Sequence, residues 1–175
     1  MNKIFAFDYM LSLFEQWHKE VDVNKGHGDF SNNSKLSVLK LLFLAAAPKE
    51  EGGRDLLETF NNFCALPYGP VESDIYNAIQ GNELPSYKVT ERSIINKAVI
   101  DKLYNEEDYL EVKEAVDALK KENEELILLN AFDLVNITHK WESWKSSFGF
   151  ANFMGIQSYS MSANSIRQDA NKCFR

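Results

Sequence analysis

Apolar residues recur at steps of three and four along most of this chain, which is the spacing of helices that bury one face. The first such stripe predicts an N-terminal helix and consists of Phe7, Met10, Leu11, Phe14 and Trp17. The segment 35–47 is apolar on nearly every side, so it is predicted to be the central buried helix, with Ser34 as its N-cap. Gly and Asn residues in the segment 21–34 predict a loop between the two helices.

The rest of the chain repeats this pattern, with weak strand signals. Two further helices are predicted before residue 81, a short one with Leu56, Leu57, Phe60 and Phe63 and one over the segment 70–80. Three more are predicted to begin at an N-cap: one at Thr90 with Ile94, Ile95, Ala98 and Val99, one at Asn105 with Tyr109, Val112, Val116 and Leu119, and one at Asn130. The last predicted helix spans about 163–173 with Ile166, Ala170 and Phe174. The segments 87–90 and 126–129 are predicted to pair as one short β-ribbon. The sequence therefore predicts a mainly α fold, a single compact domain spanning 1–175 with about seven helices.

The aromatic segment 146–161 has no steady period. It is interpreted as a connecting loop that packs as a lid over the core. The alternative is a partner-binding surface, because aromatic and Met residues are enriched at interfaces.

Composition and charge narrow the functional classes. The net charge of −7 argues against a protein that binds the nucleic-acid backbone, which would present a basic face. The apolar runs are far shorter than the ~20 residues of a membrane span, so no membrane association is expected. The two cysteines are predicted to be free thiols, buried or half-buried, in a reducing compartment. We therefore expect a cytoplasmic protein.

The stretch "ALPYGPVESDIYNAI" contains two of the four prolines of the chain. Pro70 is predicted at the first position of a helix, where its missing N–H would have no partner, with Gly69 turning the chain before it. Val71 would belong to the inward stripe of that helix. For Tyr68 two roles stay open: packing inward with its hydroxyl bonded, or facing a partner.

His139 is the residue with the most obvious capacity for catalysis, and it precedes Trp144 by five positions. A histidine acting as a general base needs an orienting carboxylate and a nucleophile or bound water, and no G-x-S-x-G motif is present. The favoured interpretation is a histidine that bonds a backbone carbonyl while tryptophans pack beside it. A small hydrolase using His139 in a cleft near Tyr68 is the alternative. The histidines lack metal-ligand spacing, and neither a metal nor a cofactor is predicted.

Two motifs, in this order, resemble those of the Panacea domain, the SocA-like antitoxin family common in bacteria and their phages. "LPYGPVESDIYNAI" is similar to the tyrosine-glycine-proline motif of that family, and "LVNITHKWESW" is similar to its second motif, a His followed five residues later by Trp. "KLLF" at 40–43 resembles the Lys-Leu-Leu-Tyr pattern of its early buried helix, with Phe43 where tyrosine is usual. The resemblance covers roughly residues 7–174, but it is sparse in the segment 45–60 and departs from the family pattern in 146–161.

The resemblance implies a non-catalytic, mainly helical antitoxin of a toxin–antitoxin pair, which neutralises a cognate protein toxin encoded by an adjacent gene through direct protein–protein binding. It also implies the alternative of a proteolytic adaptor, which would deliver the toxin to a protease. The positions that match the motifs are Tyr68, Gly69, Pro70, Val71, His139 and Trp144. We expect these residues mainly to build the scaffold, with partner-choosing residues elsewhere.

Overall fold

The structure, a computed structural model, describes residues 1–23, 26–97 and 105–175. Its described part is mainly α, as predicted, and also contains five short strands. The elements in chain order are α1 (Lys3–Asp22), α2 (Lys35–Ala46), β1 (Phe63–Leu66), β2 (Gly69–Glu72), α3 (Ser73–Gln80), β3 (Tyr87–Val89), β4 (Ile94–Asn96), α4 (Leu110–Glu122), α5 (Ala131–Thr138), α6 (Glu142–Met154), β5 (Tyr159–Ser160) and α7 (Ala163–Arg167). Short 3-10 helices span Phe30–Asn32, Glu106–Tyr109 and Glu124–Leu128.

Helix α2 lies at the centre of the core, which confirms the prediction for the segment 35–47. The Ser34 hydroxyl accepts the Ser37 N–H at 3.2 Å and begins the helix. Nearly all of its residues are buried, and it packs against α1, α4, α5 and β2. Lys40 is the polar residue that is completely enclosed in the middle of this helix.

Helix α1 buries the predicted apolar stripe against α4 and the 3-10 helix Glu124–Leu128. The Trp17 indole N–H donates to the Glu124 carbonyl at 3.0 Å, so the stripe is also fixed by a polar contact. Among the described residues, no helix combines the length and the apolar composition that crossing a bilayer requires.

The sheets differ from the single predicted ribbon. The first has the order β2-β1-β5 and is antiparallel throughout, and the second pairs β3 with β4. The predicted partner of 87–90, the segment 126–129, lies mostly in a 3-10 helix instead. Phe63, which was expected in a helix, begins β1, and Leu56, Leu57 and Phe60 lie in turns that still bury their side chains. These residues reach the core without forming a helix, which a count of apolar positions does not distinguish.

The helix predicted for 70–80 begins three residues later. Pro70 and Val71 lie in β2, where they pair with Ala65 and Cys64. The buried Glu72 ends the strand and caps α3, because its carboxylate accepts the Ile75 N–H at 2.9 Å. The interpretation of Pro70 as the first helical residue was therefore wrong.

Two other predicted helices also differ. The Thr90 hydroxyl accepts the Ser93 N–H at 2.9 Å and closes a turn between β3 and β4, so Ile94 and Ile95 lie in a strand. Ala98 and Val99 of that prediction lie outside the described residues. The final helix ends at Arg167 and does not continue to 173.

Helix α6 and strand β5 occupy the segment that was predicted as a lid-like loop. Asp169 begins α6 from a distance, because its carboxylate accepts the N–H groups of Glu142 and Ser143 at 3.2 and 2.6 Å. Gly155 has φ +68° and ends the helix, since glycine adopts the left-handed conformation at little cost. The lid prediction fails because this cap comes from a remote part of the chain.

Candidate partner-binding site

The tyrosine-glycine-proline motif spans the end of the tight turn between β1 and β2 and the start of β2. Gly69 has φ +93°, which a residue with a side chain rarely adopts. A Cβ atom on Gly69 would also lie 2.6 Å from the Thr138 Oγ1 atom of α5. Glycine is therefore required here both by the backbone conformation and by the close approach of α5.

The hairpin register places Pro70 on the outer edge of the sheet. The Ser73 N–H donates to the Asn62 carbonyl at 2.9 Å. Because backbone groups alternate in direction along an antiparallel strand, Val71 and Gly69 point toward β1 and Pro70 points away from it. Proline has no N–H to leave exposed, and its carbonyl accepts a hydrogen bond from Lys40 Nζ at 2.6 Å. We call this outer side of β2 the sealed edge.

Lys40 holds the sealed edge from inside the core. Its side chain has no exposed surface, and burial lowers the pKa of its amine to about 7. A neutral amine still donates a hydrogen bond, so the contact with Pro70 does not require a buried charge. The segment "KLLF" resembles the family pattern of a buried helix, but the sequence alone does not show that its lysine, Lys40, contacts the proline motif.

His139 and Trp144 hold the other side of the hairpin. The rings stack with centroids 3.8 Å apart, and the Trp144 indole N–H donates to the Leu66 carbonyl at 3.0 Å. His139 bonds the Pro67 carbonyl, and its pKa is lowered by burial and then by the nearby Lys40 amine. The ring is therefore mostly neutral at pH 7. This geometry confirms the favoured interpretation of a histidine on a backbone carbonyl beside a tryptophan.

Four of the six motif residues are enclosed by the fold, namely Gly69, Pro70, Val71 and Trp144, and His139 is half-buried. Tyr68, at the tip of the hairpin, is 60% exposed, so its side chain is not packed inward. The structure brings the two motifs together around one turn and leaves a single motif side chain open to solvent.

The surface formed by α6 and β5 presents several large apolar side chains. We call it the neutral face, and it consists of Phe150, Phe153, Met154, Ile156 and Tyr159, all exposed. The rings of Phe150 and Tyr159 lie 4.6 Å apart, which joins the helix to the strand. Phe153 is 85% exposed. An apolar group of this size on a protein surface is typical of an interaction site.

The neutral face lacks charge in its own chain segment and in the adjoining part of the β1–β2 hairpin. No Asp, Glu, Lys or Arg occurs between Ser146 and Ile166, or between Thr59 and Val71, in a chain that is 26% charged. Cys64 and Ala65 of β1 pair with Ser160 and Tyr159 of β5, so the two uncharged segments adjoin each other. This continuous absence of charge was a signal in the sequence that periodicity did not reveal.

Two features of the described residues concern possible ligand binding. Within them, no three His, Cys, Asp or Glu side chains come together as metal ligands would. A cleft of about 900 Å³ lies between the end of α2 and α4, and the residues that line it include Lys49, Asp55 and Glu114. None of the six motif residues lines this cleft, so it is separate from His139.

Comparison with known families matches residues 38–145 to the family described as antitoxin SocA-like, Panacea domain. The match spans more than half of the chain, and the chain therefore belongs to this family, which confirms the resemblance. Comparisons with curated proteins and with solved structures found no match. Membership in an antitoxin family implies, in general terms, a protein partner.

Proposed function

We propose that this protein is a non-catalytic, cytoplasmic antitoxin that neutralises a cognate protein toxin by binding it directly. The toxin is encoded by an adjacent gene. Family membership supplies the class of activity. The observation that carries the proposal is the neutral face, because exposed aromatic residues in an uncharged chain segment are typical of the centre of a protein–protein interface.

A role without catalysis fits the environment of His139. The ring is stacked on Trp144 and bonded to a backbone carbonyl, and the charged group that affects its pKa is Lys40 rather than an orienting carboxylate. The Pro67 carbonyl could orient the ring of a general base, but the other ring nitrogen, Nε2, is buried and has no hydrogen-bond partner among the described residues, so neither a hydroxyl nor a thiol lies within reach of it. The proposal therefore gives His139 a structural role.

Co-expression tests this function. The product of the neighbouring gene is expressed in a bacterial host alone and together with this protein, and growth is measured. We expect growth arrest alone and recovery in the presence of the wild-type protein. A neighbouring product that is harmless alone, or harmful regardless of this protein, would contradict the proposal.

Two matched variants test whether the neutral face carries the binding. Phe153→Asp places a charge at the centre of the face, and Phe132→Asp places one at a 66% exposed phenylalanine on α5. We expect Phe153→Asp to lose growth recovery and Phe132→Asp to retain it. Circular dichroism should show that both variants are folded. Toxin turnover in a pulse–chase experiment separates the two mechanisms, because occlusion leaves the toxin stable and an adaptor accelerates its loss.

A further inference from the structure

The sheet β2-β1-β5 has two outer edges that the fold treats differently. On the sealed edge, Pro70 has no N–H and its carbonyl is bonded to Lys40. Helices α2 and α5 also pack against β2. The second edge is the outer side of β5, which we call the open edge.

The register shows which backbone groups face the open edge. The Met161 N–H donates to the Phe63 carbonyl at 2.8 Å, so Met161 points toward β1. Because directions alternate along an antiparallel strand, the N–H and the carbonyl of Ser160 point away from β1. No strand among the described residues pairs with this edge.

The open edge has only part of the usual protection against pairing with another chain. Proteins commonly protect exposed edges by keeping the strand very short, with charged side chains, with proline or with a covering element. β5 is short, but the chain has no proline after Pro85 and no charged residue between Ser146 and Ile166. The side chain of Tyr159 lies beside the open edge and contacts Phe150, so this edge borders the neutral face.

We propose that the toxin binds by adding an extended, uncharged segment as a fourth strand along the open edge, with every second side chain packed on the neutral face. Main-chain hydrogen bonds to Ser160 would set the register, and the exposed aromatic residues would accept the alternating apolar side chains. A charged residue at these positions would lose its hydration without finding an opposite charge, which excludes it from the docking segment. This inference rests on the proposed function and names the part of the toxin that is bound.

Amide hydrogen exchange of Ser160 is the direct test, measured by NMR on the wild-type protein alone and in complex with the product of the neighbouring gene. We expect exchange at Ser160 to slow by at least about tenfold in the complex, because its N–H gains an acceptor. The Met161 amide is the internal control, since it is bonded to Phe63 in both states. An unchanged Ser160 exchange rate in a formed complex would overturn the inference.

A pair of variants tests the same contact by affinity. Ser160→Pro removes an N–H that the fold itself does not use and places a ring in the path of the added strand, whereas Ser160→Ala removes only the hydroxyl. We expect Ser160→Pro to weaken binding by at least about tenfold and Ser160→Ala to bind like the wild type. Equal binding by both variants would overturn the inference and leave the proposed function intact. If the wild-type protein forms no complex, both fail together.

Self-association is the competing occupant of the edge. Sedimentation of the wild-type protein alone would reveal it as a dimer that Ser160→Pro dissociates. A toxin that binds this dimer without altering Ser160 exchange would assign the open edge to a second copy and overturn the inference.

Discussion

The two edges of the small sheet show how this fold separates stability from recognition. At the sealed edge, Pro70 has no N–H and its carbonyl is bonded to the buried Lys40, while the left-handed Gly69 beside it leaves room for α5. At the open edge, the groups of Ser160 face outward beside exposed aromatic rings. The motif residues that resemble the family pattern therefore lie mostly on the side that holds the molecule together.

The tyrosine-glycine-proline motif and the neutral face lie in different parts of the molecule. A buried hairpin fixes the position of β1, and β1 in turn fixes β5 and the start of α6 through the Leu66–Trp144 contact. The residues presented by α6 and β5 contribute little to this scaffold. We expect substitutions on the sealed side to change stability and substitutions on the neutral face to change binding.

The largest effect on the sealed side is expected for Gly69→Ala. Alanine would have to adopt the left-handed backbone conformation of Gly69, and its Cβ atom would lie 2.6 Å from the Thr138 Oγ1 atom. Strain and overpacking together should lower the free energy of unfolding by roughly 2–5 kcal/mol. Urea unfolding followed by circular dichroism measures this loss.

The control for this variant is Gly149→Ala on α6. A Cβ atom at Gly149 meets no heavy atom within 4 Å, and the residue lies inside a helix. Alanine should therefore raise the unfolding free energy by up to about 1 kcal/mol through helix propensity. If both variants lower the unfolding free energy equally, the tight turn at Gly69 contributes no more to stability than an exposed helical position.

The second prediction concerns Lys40→Met and its dependence on pH. The pKa of Lys40 is about 7 in the fold and 10.5 when unfolded. Below pH 7 both states hold the proton, and between pH 7 and 10.5 only the unfolded state does, so wild-type stability should rise with pH. Lys49 is half-buried, and burial of its amine also lowers its pKa to about 7, so it contributes in the same direction.

Removing the Lys40 amine should flatten this dependence by up to about 1.4 kcal/mol per pH unit. The variant also leaves the Pro70 carbonyl without its donor, which costs about 1–3 kcal/mol at every pH. It avoids the cost of deprotonating a buried amine, and this cost falls as the pH rises, so the variant should lose stability relative to the wild type from pH 7 to pH 9. Unfolding curves at pH 7, 8 and 9 measure both effects. Parallel curves for the two proteins would contradict a buried, neutral Lys40.

The sequence predicted the elements that depend on local signals. The apolar stripe of α1 follows from the spacing of its own residues. The Ser34 cap of α2 and the Asn130 cap of α5 bond N–H groups within one helical turn. The mainly α class and the family resemblance followed from such segments and from two short motifs.

Two of the missed elements depend on contacts between distant residues. Helix α6 takes its cap from Asp169, and β5 pairs with a strand about a hundred residues earlier, so neither is visible in a short window. The hairpin turn was interpreted as a helix entry because proline suits both positions. For the candidate site, the sequence identified the motif residues. The exposure of Phe153 and the register of Ser160 depend on how α6 and β5 pack against β1, which the sequence does not show.

The smallest effect is expected for His139→Phe, which separates a structural role from a catalytic one. Phenylalanine keeps a ring stacked on Trp144 and loses only the bond to the carbonyl of Pro67, which is an exposed residue. The unfolding free energy should therefore fall by less than about 1 kcal/mol, and growth recovery in the co-expression assay should match the wild type. A folded variant that no longer protects the host would place His139 in the function itself and break the division between the sealed side and the neutral face.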